Sequence, residues 1–360
     1  MVYSDDSIEP SIPSPLIGEC DVLAVRRKDD PEYAVEALLK GEHVLVQDFY
    51  STGLTVLAAL KKYLRSNYSE NDFKAQREFR NVYHQASQHL LVLVTNQKLA
   101  IRKAPEIGWL SRFYPENSNL LISFPDVQGL NSAWQWYEKG ILIPSLGYKL
   151  HPFYGTYFPT RFDHIELFDE WLKHYRGAKL SAIDVGVGSG VLSLQLLKHG
   201  FRHLVGTDTN PNAIIGVAEE LDRMGKSSKV DLILTDLLSH CKEKTELIVF
   251  NPPWIPAQGD IAGLDSAIYY DETLFPRFFE QAYCNLEPDG HVVILFSNLA
   301  ITTGVAKNNP VEVELSTGGR FVKVKHLTRN VKEASSKTKR NQVWRATEQV
   351  ELWELKKSES

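Results

Sequence analysis

Asp184-Val-Gly-Val-Gly-Ser-Gly190 is the densest run of chemically usable residues in this chain. It follows a short β-branched apolar run and opens a helix-length amphipathic stretch. Gly186, Gly188 and Gly190 allow a sharp turn and let a ligand lie against bare backbone. No Lys-Ser/Thr pair follows, so this is not a phosphate-cradling nucleotide triphosphatase loop. A dinucleotide fingerprint would carry its third glycine one place later, where the chain has Val191. Asp184 would also stand beside a pyrophosphate, whereas its charge suits a ligand with an ammonium group. Asp208 closes the next apolar run, where a carboxylate can accept from two adjacent ribose hydroxyls. Asp236 closes a third run and can accept from an adenine-type exocyclic amine.

Asn251-Pro252-Pro253-Trp254 follows a fourth apolar run. Two prolines fix φ and surrender two N–H donors, which holds the backbone rigid with its carbonyls outward. The Asn251 side-chain oxygen and the Pro252 carbonyl then form an acceptor pair for both hydrogens of a planar NH₂ group. Trp254 offers a surface on which the flat group bearing that nitrogen can stack. Such a nitrogen has a delocalised lone pair, and accepting both its hydrogens raises its electron density. Taken singly, each aspartate can be a helix cap and Pro-Pro a strand terminator. Their succession along one α/β pattern is what favours a site.

The elements that must position these residues are legible from Leu180 onward. LSAIDVG, HLVGTD, VDLILTD, ELIVFN and HVVILFS are strand-like, with helix-like stretches between most of them. Apolar runs buried on both faces and separated by helices predict a doubly wound α/β fold with a parallel sheet. RFVKVKHLTRNV and RATEQVELWEL alternate with period two and predict a closing C-terminal antiparallel hairpin, making seven strands. Residues 1–150 read as a smaller mixed α/β domain, a possible substrate-recognition module. Within it, AVEALLKG and TGLTVLAALKKYL look helical, whereas HVLVQD, HLLVLVT, KLAIRK and NLLISF look like strands. Its first 17 residues, polar and Pro/Ser-rich, read as a flexible leader. Residues 151–355 form the second domain and 356–360 a tail.

The order of these motifs resembles class I S-adenosylmethionine-dependent methyltransferases, which have a Rossmann-like seven-stranded sheet. The resemblance covers Leu180 to Leu355 and implies S-adenosylmethionine as cofactor. It places Asp184 and Gly186 at the methionine part, with Gly188 and Gly190 completing the loop. It also places Asp208 at the ribose and Asp236 and Leu237 beside the adenine. NPPW is similar to the signature of amino-methyltransferases of the methyltransferase small domain type, among them release-factor glutamine and ribosomal guanine and adenine enzymes. By that resemblance Asn251, Pro252, Pro253 and Trp254 are catalytic, and Asn251 also meets the cofactor. The glutamine enzymes usually carry Tyr where this chain has Trp254. Tyr154 to Arg161 resembles the lead-in covering the cofactor, with Phe158 packing on it and Arg161 pairing with its carboxylate. His151 and Tyr154 are candidates for the substrate mouth.

At 360 residues and 43% hydrophobic the chain is long enough for two cores. A formal charge of −5 removes the case for a broadly basic nucleic-acid binder. The first 150 residues are balanced as well, with 16 basic against 18 acidic. Between Arg320 and Arg345, however, nine Lys/Arg face only Glu333, a stretch that fits nucleic acid or an acidic surface. Cys20, Cys241 and Cys284 have no metal spacing and suit a reducing compartment. No metal site, signal peptide or membrane span is expected, and the location read from this is cytoplasmic. The expected function is methyl transfer to a planar nitrogen of a protein, RNA or small-molecule acceptor. The alternatives are a small-metabolite N- or O-methyltransferase, a nicotinamide-dependent oxidoreductase and a non-catalytic cofactor-binding module.

Overall fold

The computed structural model describes residues 8–16, 21–67, 73–257, 268–331 and 348–358. The chain divides into two compact units, Ile12–Glu138 and Met1–Ser11 with Lys139–Ser360.

In the smaller unit the elements are β1 (Val22–Val25), α1 (Pro31–Leu39), β2 (His43–Val46), α2 (Tyr50–Asn67), α3 (Phe73–Gln88), β3 (Leu90–Thr95), β4 (Lys98–Leu99), α4 (Gly108–Phe113), β5 (Asn119–Ser123) and α5 (Phe124–Lys139). β1, β2 and β3 run parallel, while β4 and β5 pair antiparallel with β3. Leu90, Leu91 and Val92 are fully buried, the signature of a central strand covered on both faces. The four strands and two helices expected here are present. β1, α3, α4 and α5 add to them.

The larger unit opens with the hairpin β6 (Ile141–Ile143) and β7 (Tyr148–Leu150). This hairpin moves the domain boundary to Glu138/Lys139, not the expected 150. Ile143 and Leu150 bury in the core of the larger unit, and the Tyr148 hydroxyl donates to Glu220 Oε1 at 2.5 Å. The leader expectation is corrected as well. Ser11 exchanges two hydrogen bonds with Asn212, and the Leu16 N–H donates to the Leu121 carbonyl at 2.8 Å. Residues 1–7 and 17 of that leader lie outside the described residues.

There follow α6 (Asp163–His174), β8 (Ser181–Val185), α7 (Val191–Lys198), β9 (His203–Asp208), α8 (Pro211–Arg223), β10 (Val230–Leu234), β11 (Thr245–Phe250), the short pair β12 (Ile255–Pro256) and β13 (Tyr269–Tyr270), α9 (Leu274–Asn285), β14 (Leu286–Ser297), α10 (Leu299–Thr302), α11 (Pro310–Val313), β15 (Phe321–Asn330) and β16 (Gln349–Lys357). The main sheet runs β10-β9-β8-β11-β14-β16-β15. β16 is antiparallel to both neighbours and the remaining pairings are parallel. Strand residues alternate between two cores: Ala182, Leu204 and Val249 pack with α6, α7 and α8, whereas Ile183, Ile248 and Phe250 pack with α9. β16 extends to Lys357, so the expected tail begins later. Likewise Asp236 lies two residues beyond the end of β10, not at its last position.

Candidate active site

The chain leaves β8 on one side toward β9 and β10 and on the other toward β11, which makes a topological switch point. Open α/β sheets bind ligands in the crevice at the carboxyl ends of strands at such a point. Register does the rest. Val185 pairs with Phe250 and with Thr207, so Gly186, Asn251 and Asp208 emerge side by side. They border one cleft of about 210 Å³.

Gly186, Gly188 and Gly190 all have positive φ (66°, 51° and 80°), the left-handed conformation that side chains resist. The loop is tied down by Val187 N–H to the Thr207 carbonyl at 2.8 Å and Gly188 N–H to Asp208 Oδ2 at 2.9 Å. Asp208 Oδ1 accepts from Asn210 N–H at 2.8 Å. Burial still raises the Asp208 carboxyl above its usual range. Leu237, with φ of 49°, is a non-glycine residue held in the left-handed region at the cleft wall. Such strain is maintained only where the surroundings enforce it, as here with Leu238 N–H held by Gln281 at 2.8 Å.

Gly186, Gly188, Asp208, Asp236, Leu237, Asn251 and Pro253 line the cleft. Other expected site residues do not. Asp184 is buried behind the loop, its Oδ2 accepting from the Ser193 hydroxyl at 2.6 Å. Gly190 faces α8, where an added Cβ would come within 3.1 Å of Val217. Arg161 turns to Glu348 at 3.0 Å, and Phe158 yields the wall to its chain neighbours Tyr157 and Pro159. Pro252 is buried beside the wall. Trp254 donates from Nε1 to Asn251 Oδ1 at 3.2 Å. His151 donates its backbone N–H to Glu220 at 3.2 Å, and neither it nor Tyr154 borders the cleft. Asp236, exposed at the rim, is paired with Arg277.

Thr156, Tyr157, His164, Thr207 and Leu274 also line the cleft and were not singled out by sequence. The lead-in motif gave Tyr157 a detectable context, since it lies inside that run. His164 is 4% exposed, and burial pushes its imidazole down to about 4. Its ring meets Trp254 edge-to-face with centroids 5.2 Å apart.

Two buried hydroxyls on the cleft wall, those of Thr156 and Thr207, have no partner among the described residues. Orphans of this kind fit a ligand carrying its own hydroxyls, carboxylate and ammonium, and S-adenosylmethionine carries all three. Burial pushes Asp184 up to about 7. A raised carboxyl pKa contributes stability below the unfolded value near 4, and that contribution is lost as pH rises through 7. Asp184→Asn is therefore expected to gain on wild type between pH 4 and pH 8, by on the order of 4 kcal/mol. Denaturant unfolding of both proteins across that range checks it, and a constant difference would contradict it.

The basic stretch is less free than its composition suggests. Arg320 is bidentate to Glu314 at 2.7–2.8 Å, and Arg329 bonds Glu166 and Glu170 at 3.1 and 2.6 Å. Lys323 and Lys325 remain exposed on β15. Lys332, Lys337, Lys339, Arg340 and Arg345 lie outside the described residues.

Comparison with known proteins gives the same reading as the cleft. The family model "Methyltransferase small domain" matches residues 166–304. A Methanocaldococcus jannaschii protein named "Putative protein N5-glutamine methyltransferase" is 30% identical over 167 residues, 44% of this chain and 80% of that one. The release factor glutamine methyltransferase of Cereibacter sphaeroides is 33% identical over 78 residues, 21% of this chain and only 28% of that one. Among solved structures, a T. thermophilus 16S rRNA methyltransferase in complex with AdoMet and guanosine covers 78% of this chain and 62% of its own, at 19% identity and TM-score 0.41. The chain belongs to the methyltransferase small domain family and is an S-adenosylmethionine-dependent methyltransferase with the α/β methyltransferase fold.

Proposed function

We propose that this enzyme methylates a planar nitrogen, a carboxamide or exocyclic amine, of a protein, RNA or small-molecule acceptor. The observation that carries this reading is that Asn251 and Pro253 border the same cleft as Gly186, Gly188 and Asp208. S-adenosylmethionine, when bound, supplies an electrophilic sulfonium methyl. Gly186 and Gly188 let that cofactor approach bare backbone, and Asp208 keeps lone pairs for ribose hydroxyls while its other contacts fix the loop. Leu237 packs on the adenine. Asp236 accepts from the exocyclic amine there, at the cost of competing with Arg277. Asp184 and Gly190 act from behind, one holding the loop and one letting α7 and α8 close on each other. Asn251 Oδ1 and the Pro252 carbonyl accept the two N–H bonds of the acceptor and aim its nitrogen. Orientation and electrostatics then supply most of the rate, with no general base needed before the methyl moves.

Two observations favour a carboxamide acceptor over RNA. Two of the four described cations of the basic stretch are already neutralised by carboxylates. The names of the two curated relatives above also specify glutamine. We read the enzyme as cytoplasmic. Cys241 and Cys284 are free thiols, and no helix among the described residues is long and apolar enough to cross a membrane.

Tyr157, 44% exposed on the cleft wall, is placed to cover the bound cofactor. Tyr157→Ala is expected to weaken S-adenosylmethionine binding about ten-fold, measured by calorimetry. Unchanged affinity would remove Tyr157 from the cofactor site. Methyl-radiolabel transfer to protein, RNA and metabolite fractions tests the reading as a whole. Label on a protein or metabolite amide is expected, and cofactor binding with label on carbon or oxygen alone would overturn it.

A further inference from the structure

We propose that His164 is a positioning residue of the methyl-transfer site, acting through the Trp254 indole to fix which way the Asn251 carboxamide faces. The inference rests on the role given to Asn251 above. A carboxamide presents oxygen on one edge and NH₂ on the other, and the two edges are nearly the same shape. Only the oxygen edge can accept from the N–H of a methyl acceptor; turned over, it would set donor against donor. An indole N–H is donor only, so Trp254 Nε1 at 3.2 Å from Oδ1 selects one of the two orientations. Because a carbonyl oxygen has two lone pairs, Oδ1 can satisfy the indole and the acceptor together.

That bond sits at the long end of the N–H···O range, so it holds only while the indole is kept in place. Trp254 packs against the edges of both cores, and His164 closes on its ring from α6. The His164 ring stands at 87° to the indole with centroids 5.2 Å apart, in the first turn of α6, and is 4% exposed. Among the described residues no hydrogen bond ties its ring, and the ring it packs on is that of Trp254. Burial also keeps the imidazole neutral near pH 7, so it brings no charge toward a cationic cofactor. This supplies a reason for Trp254 where glutamine enzymes carry Tyr: a phenol hydroxyl can both donate and accept and would not impose one carboxamide orientation.

The test uses full-length protein labelled with ¹⁵N-tryptophan, whose seven indoles are assigned for Trp254 by its loss in Trp254→Phe. His164→Ala is expected to speed hydrogen exchange at the Trp254 indole at least about ten-fold and leave the other six unchanged, with His164→Phe restoring it. Kinetics with a short glutamine-containing peptide provide the second readout. His164→Ala and Trp254→Phe should each lower kcat about ten-fold with KM unchanged and with any fall in cofactor affinity well short of that factor, and the double variant should lose little more. Unaltered indole exchange, fully additive losses, or a fall in cofactor affinity that accounts for the lost rate would each overturn the proposal. If wild type leaves the peptide unmethylated while the exchange changes as expected, the acceptor reading fails and the role of His164 stands.

Discussion

Asn251→Ala is expected to cut methyl transfer by about 10²–10³-fold while leaving S-adenosylmethionine affinity nearly unchanged. The split follows from where the side chain sits. Asn251 follows directly on β11, in register with the glycine loop, so it borders the same cleft as Gly188 and Asp208. Its Oδ1 accepts from Trp254 Nε1, and on the reading proposed above its second lone pair takes an N–H of the methyl acceptor. Losing one preorganised electrostatic contact to the reacting group typically costs that much in rate, and the cofactor keeps its own contacts. Asn251→Asp keeps an accepting oxygen and should fall between the two. Equal losses of cofactor affinity and turnover would show that Asn251 serves the cofactor instead.

The second large effect is expected at Gly188. Its φ of 51° penalises any side chain, and a Cβ there would lie 3.7 Å from the Tyr157 carbonyl, at the cleft wall. Alanine at this position makes only an ordinary van der Waals contact, so Gly188→Ala should weaken cofactor binding a few-fold through backbone strain of about 1 kcal/mol. Gly188→Arg also extends a long cation along the cleft, against a positively charged ligand. Its S-adenosylmethionine affinity is expected to fall more than about 100-fold in calorimetry, a total loss of roughly 3 kcal/mol. Stability to unfolding should fall by little more than that strain of about 1 kcal/mol, because space beside the Cβ is open apart from that carbonyl and that of Gly186. Retained affinity in Gly188→Arg would place the cofactor elsewhere.

Much of the larger unit could be read from the chain because its strands are buried on both faces. LSAIDVG, HLVGTD and ELIVFN are uninterrupted apolar runs for that reason, and each lies within two residues of its strand. The smaller unit was harder. β1 is only four residues long, and α3, although its apolar residues recur at helical spacing, is polar on average and was not singled out. The boundary near 139 was hidden because Ile143 and Leu150 look like any short strands until their burial against α6 to α8 is known.

Site residues divide along the same line. Gly186, Gly188, Asp208 and Asn251 sit at strand ends, where sequence order maps directly onto space. Arg161 and Phe158 were assigned from a motif whose side-chain directions depend on tertiary packing, and Glu348 captures the former. His164 was invisible for a related reason. A histidine on an amphipathic helix carries no local sign of function, and its partner Trp254 is 90 positions away in the chain. Gly190 matched the loop pattern, yet its lack of a side chain serves the approach of Val217.

Incubating the enzyme and its variants with methyl-deuterated S-adenosylmethionine and fractionated acceptor pools, then locating the label by tandem mass spectrometry, tests the cleft most directly. The account predicts a trideuteromethyl group on a carboxamide or exocyclic nitrogen, absent with Gly188→Arg and nearly absent with Asn251→Ala. Label on oxygen, carbon or sulfur, or on nitrogen at undiminished yield with Asn251→Ala, would contradict it.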